Sequence, residues 1–142
     1  MLLRKRMTRY LIYHKIGGIN FNLSKSSPEE KGMVEEKEKT LHLSQGEIVA
    51  LKKAIMYLKF SCEETESLMY AGSPLINSAF SKIIEVDDLG WAAKEFYSKR
   101  HEINEEFISR KLTMMEKENG RPHDDAIMEQ VFSECLYPFV KK

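Results

Sequence analysis

A change of hydrophobic period between residues 40 and 60 constrains this chain more than any other feature. Leu41 and Leu43 alternate with polar neighbours, the pattern of a half-buried strand. Ser44 and Glu47 then stand three apart, the spacing of a capping box. There the serine hydroxyl accepts from the Glu47 amide while the glutamate carboxylate reaches back to the Ser44 amide. Ile48, Leu51, Ile55 and Leu58 follow at 3,4,3 spacing, a helical stripe. A β-type N-terminal part therefore gives way to a helical remainder at this point.

Upstream, residues 9–23 read Arg-Tyr-Leu-Ile-Tyr-His-Lys-Ile-Gly-Gly-Ile-Asn-Phe-Asn-Leu. Gly17-Gly18 between two β-rich runs predicts a two-residue hairpin. In that register Ile16 faces Ile19, His14 faces Phe21 and Ile12 faces Leu23, so one side of the hairpin is mainly apolar. A lone hairpin is marginal in water, and residues 40–43 offer a third strand. Residues 24–39 are polar and charged and read as a mobile loop.

Downstream, the punctuation is helical. Gly72 and Pro74 stop one helix, and Ser73 caps the next over about 74–85, whose nearly all-round apolar surface predicts a central position. Asp87 and Asp88 open a helix to about Arg100, with Trp91 projecting away from the Leu89, Ala93, Phe96 and Tyr97 side. Asn104 is a candidate cap for a helix striped by Phe107, Ile108, Leu112 and Met115 and ended by Gly120. His123 or Asp124 starts the last helix, closed at Pro138. The expected fold class is α+β, mostly α: an N-terminal antiparallel β-hairpin plus a third short strand, then a bundle of four to six helices. Its 142 residues fit a single domain, with a β element at 7–43 and a helical part at 44–142.

Charge is uneven although the total is zero. Residues 1–24 carry +5 from Arg4, Lys5, Arg6, Arg9 and Lys15, residues 25–39 carry −1, and the remainder carries −4. A basic N-terminal part and an acidic helical part attract each other, within one chain or between two. Cys62 and Cys135 are too few for a disulfide framework and read as small buried hydrophobes in a cytoplasmic protein. No apolar run reaches the ~18–20 residues that span a bilayer, and the opening Met-Leu-Leu-Arg-Lys-Arg lacks the apolar core of a signal peptide. Met7 is an alternative start.

Four acids form the sharpest chemical candidate. Glu63 and Glu66 are spaced ExxE, and Glu85 and Asp88 are spaced ExxD. Residues at i and i+3 share a helix face, so two such helices can aim four carboxylates at a Mg²⁺ pair. This spacing resembles the metal signature of the all-α nucleoside triphosphate pyrophosphatases of the MazG and dUTPase kind, over these four positions only. The resemblance implies Mg²⁺-dependent hydrolysis of a nucleoside triphosphate. The competing reading, solvated first-turn acids and helix caps, accounts for the same residues more simply.

Other constellations are weaker. His101 with His123-Asp124 lacks the later aspartate of a metal-dependent HD phosphohydrolase, and Arg100-His101-Glu102 lacks the second histidine of HExxH. No phosphate-binding glycine loop or nucleophile elbow is present. Basic residues at 4–9, Arg9 among them, interleave with Tyr10 and Tyr13, a pattern that can stack bases and hold phosphate, although the helices that would enter a groove are acidic or mixed. The reading that organises these features is a small protein that binds another protein, of the adaptor, inhibitor or phage counter-defence type, and self-associates. Its contacts would be Trp91, Arg9, Tyr10, Tyr13 and Phe21, with no cofactor, nucleic acid or membrane.

Overall fold

The computed structural model describes residues 36–141. These form six helices: α1 (Gln45–Phe60), α2 (Leu68–Ala71), α3 (Pro74–Val86), α4 (Gly90–Tyr97), α5 (Glu102–Asn119) and α6 (Asp125–Leu136), with a 3₁₀ turn at Thr65–Ser67 leading into α2. No strand occurs among the described residues, which corrects the α+β expectation. The third strand expected at 40–43 is irregular chain, and Leu41 is 75% exposed. Two alternating leucines are too short a signal to make a strand, and no ladder partner lies beside them among the described residues. The hairpin at 9–23, with Arg9, Tyr10, Tyr13 and Phe21, lies outside the described residues. The helical bundle itself is present, and among the described residues no helix is long and apolar enough to cross a membrane.

Local chemistry explains most helix ends. Ser44 accepts from the Glu47 amide, and the Glu47 carboxylate takes the Ser44 N–H at 2.7 Å, closing the capping box of α1. The Ser44 N–H, and then the Ser44 hydroxyl, donate to that carboxylate and lower the Glu47 pKa. Ser73 caps α3 by accepting from Ile76, with Pro74 at the first helical position, where a missing N–H costs nothing. Asp124 accepts from the Ala126 amide and starts α6. Gly120 ends α5 at φ 70, the left-handed conformation that glycine adopts without strain.

The N–H groups of Ser61 and Cys62 both fold back on Tyr57 O and close α1. One helix start differs from expectation. Helix α5 begins at Glu102 rather than after Asn104. Arg100 pairs with Glu102 at 3.2 Å and with Glu105 at 3.0 Å, so ion pairs hold a first turn that has no side-chain cap.

The core joins Leu68 and Ala71 of α2, Ile108, Leu112 and Met115 of α5, Val131, Cys135 and Leu136 of α6, and Phe139. The four-residue α2 is thus central. Helix α3 is not: it buries Asn77, Phe80 and Ile84 on one side, while Leu75 is 79% exposed. Aromatic rings seal the seam behind α4, with Phe139 meeting Tyr97 at 5.2 Å, Phe60 at 5.3 Å and Phe96 at 5.7 Å between centroids.

Candidate functional site

The junction of α3 with the first turn of α4 presents the most exposed aromatic side chain of the described residues. Trp91 is 71% exposed, flanked in sequence by the exposed Leu89 and Val86. The backbone beneath them is braced. Asp87, buried at the end of α3, accepts from Gln45 Nε2 at 2.7 Å and from the Leu89 amide at 3.1 Å, and pairs with Lys52. Gln45 Oε1 in turn accepts from the Asp88 amide at 3.2 Å. The Lys52 hydrogen bond, then the Gln45 and Leu89 donors, hold the Asp87 carboxyl down at about 2. Gly90 closes the turn: a Cβ there would lie 2.3 Å from Ile84 O, so only glycine fits without moving backbone. Asp87 therefore works as a staple from α1 to the turn, rather than as the N-cap expected for α4.

A second unusual feature lies inside. Lys59 is 1% exposed, and Lys111 is buried as well. Neither meets a carboxylate within ion-pair distance among the described residues. Lys59 Nζ donates to Ala71 O at 2.7 Å and Glu134 O at 3.1 Å, with Cys135 O at 3.5 Å. Ala71 is the last residue of α2, and Glu134 and Cys135 lie in the last turn of α6. One ammonium thus caps two helix C-termini, whose carbonyls have no intrahelical donor and carry the negative end of the dipole. Lys111 Nζ donates to Ser67 Oγ and to Leu58 O in the last turn of α1, and lies 5.4 Å from the Phe107 ring centre. Burial pulls Lys59 down to about 8, partly offset by Cys135 and Glu134, and lowers Lys111 too. Burial pushes the Cys135 thiol up to about 11 against the pull of both lysines. With no opening to solvent, this cluster joins helix ends and offers no room for a substrate.

A third feature is a groove of about 770 Å³ between α5 and α6. Leu112, Met128 and Phe132 contribute its apolar lining, and five carboxylates and two cations surround it.

The acidic quartet does not assemble. Glu63 lies in the irregular segment after α1 and Glu66 in the 3₁₀ turn, while Glu85 is near the end of α3 and Asp88 in the turn beyond it. Glu63 lies 3.9 Å from Arg110 and Glu85 pairs with Lys94 at 2.6 Å. Among the described residues no group of three or more His, Cys, Asp or Glu is placed to hold a metal ion. His101 packs at 5.1 Å from Phe139, and His123 lies beside Glu116, far from acting as a paired set. Comparison of the chain with protein families, with curated proteins and with solved structures finds no match.

Sequence reasoning named Trp91 and missed the two lysines and the Asp87 staple. A signal for the lysines existed. Lys111 sits with Ile108, Leu112 and Met115 at i, i+3, i+4, i+7 spacing, squarely on the apolar stripe. Lys59 continues Ile48, Lys52 and Ile55 at 4,3,4 spacing, one position round from the stripe of leucines. Nothing in the sequence pairs Asp87 with residues 35 and 42 positions away.

Proposed function

We propose that this protein acts by binding another protein, and that the turn carrying Val86, Leu89 and Trp91 is the contact. The observation that carries this reading is a large, exposed indole on a backbone stapled from below by Asp87. Tryptophan is among the commonest anchors of protein interfaces, because it buries much area for two rotatable bonds. A rigid turn adds to this by lowering the ordering cost of association. In this reading the partner surface is an apolar pocket on a second polypeptide, and the protein works as an adaptor or inhibitor. Self-association through the same turn is the competing outcome. The hydrolase reading receives no support from four acids dispersed over four segments.

The test is native mass spectrometry of untagged protein purified from its own host, beside Trp91→Ala and, as a surface control, Ile103→Ala. A co-purifying polypeptide retained by the control and lost with Trp91→Ala is the expected result. A complex of unchanged composition in Trp91→Ala would overturn the assignment of this turn. A homo-oligomer lost with Trp91→Ala would replace the second polypeptide by a second copy.

A further inference from the structure

The charges of the α5–α6 groove are unequal. Glu105, Glu106, Glu116, Asp125 and Glu129 line it, against Arg100 and Lys141, a net −3. Arg100 is engaged with Glu105 at 3.0 Å, and Lys141 pairs with Glu129. Glu116 accepts the His123 backbone N–H at 3.2 Å. Glu106 and Asp125 have no ion pair among the described residues and stand on opposite walls, one on α5 and one on α6. The lining below is apolar, with Leu112, Met128 and Phe132. A volume of about 770 Å³ falls within the ~300–1,000 Å³ range of ligand-enclosing sites. Such a groove selects an occupant that is cationic at its edge and apolar between its charges.

One segment of this chain has that composition. Residues 4–15, Arg-Lys-Arg-Met-Thr-Arg-Tyr-Leu-Ile-Tyr-His-Lys, hold all five cations of the N-terminal part and no acid, interleaved with Met7, Tyr10, Leu11, Ile12 and Tyr13. We propose that this segment seats in the α5–α6 groove of its own chain, with arginine or lysine at Glu106 and Asp125 and an apolar side chain against Phe132 and Met128. Reach does not prevent it. The twenty residues 16–35 span at most about 66 Å, against a radius of gyration of about 13 Å for a body of a hundred residues. Complementary charge concentrates the segment near the groove, and tethering in one chain raises its effective concentration to the order of millimolar. The groove involves none of Val86, Leu89 and Trp91, so this inference stands apart from the proposed partner contact.

Two measurements on the full chain test it. The first treats an equal mixture of unlabelled and heavy-isotope-labelled protein with a zero-length carbodiimide, then maps the linked peptides. The expected product joins Lys5 or Lys15 to Glu106 or Asp125 within chains of one label. Absence of such links overturns the proposal, and a mixed-label share of about half, which random pairing of an equal mixture gives, replaces it with exchange between copies. The second follows trypsin cleavage after Arg9. Glu106→Gln with Asp125→Asn is expected to speed that cleavage about fivefold, the scale of two exposed ion pairs. Equal rates in the variant and the parent overturn the proposal. Both positions are surface carboxylates, and an unchanged helical circular dichroism spectrum shows that the variant folds. Trp91→Ala leaves both readouts unchanged, so loss of partner binding and loss of groove occupancy are separable.

Discussion

Lys59 and Trp91 occupy each other's expected places. The lysine is 1% exposed in the interior, and the tryptophan is 71% exposed on a turn. The difference lies in what the backbone offers each of them. Around Lys59, two helices end together and leave carbonyl oxygens without an intrahelical donor, Glu134 O being shared with the Asn77 side-chain amide, so an ammonium is a better neighbour there than a methyl group. Around Trp91, the preceding turn is held by polar bonds from α1 underneath, and the indole stays mostly in solvent. Residue type alone decides neither position. The supply of unpaired backbone groups in one region, and of polar bracing in the other, decides both.

The strongest way to break this comparison is to remove the interior ammonium. Lys59→Ala should lower the unfolding free energy by about 4 kcal/mol in a denaturant titration, because it leaves helix-end carbonyls bare and opens a cavity. Lys59→Met keeps the stem and isolates the capping role. It should still cost about 2 kcal/mol, and a Met variant as stable as the parent would refute the capping argument.

Next in size is the brace under Trp91. Asp87→Ala should cost about 2 kcal/mol and lower the order of the turn. The same carboxylate gives an acid limb. Its folded pKa of about 2 lies below the ordinary 3.8, so its stabilisation is complete above pH 3.8 and fades as pH falls toward 2. Denaturation midpoints in that window, compared between parent and Asp87→Ala, check it.

A smaller effect sharpens the interior side. Lys59 at about 8 in the fold against 10.5 unfolded means that its burial cost is fully present below pH 8 and is relieved as pH rises. Cys135, at about 11 against 9.0, acts oppositely above pH 9, where the unfolded thiol ionises first. Stability should therefore rise by about 1 kcal/mol between pH 8 and 9 and then level off. In Cys135→Ala the rise should continue toward pH 10, and a flat profile in both proteins would argue against a perturbed Lys59. Smallest of all, Trp91→Ala should change stability by less than about 0.5 kcal/mol, as expected for a side chain in solvent. A larger loss would place the indole in the fold rather than at a partner.

Much of the helical part is legible in the sequence because caps act over three or four residues. Ser44 with Glu47, Ser73 with Pro74, Gly120 and Asp124 each satisfy or relieve backbone groups beside them, and each boundary falls where those residues place it. Helical phase does not account for Trp91, because Leu89 and Phe96 on the side expected to face the core are exposed as well. The third strand at 40–43 fails because a strand needs a partner that local pattern does not supply. Burial fails in a more instructive way. Leu75 and Lys59 are exchanged relative to hydrophobicity, since α3 uses one narrow side and α1 turns its Lys59 face inward.

Read alone, the amino-acid order places the helix ends at Ser44, Ser73, Gly120 and Asp124, though not the starts of α4 and α5, and it gives the opposition between a basic N-terminal part and an acidic remainder. These depend on bonds between near neighbours and on counting charges. Only the tertiary structure decided that α2 and α6 end side by side around Lys59, that Asp87 reaches Gln45 and Lys52, and that the four spaced acids stay apart. Each of these joins residues distant in the chain, and their meeting is set by how whole helices pack.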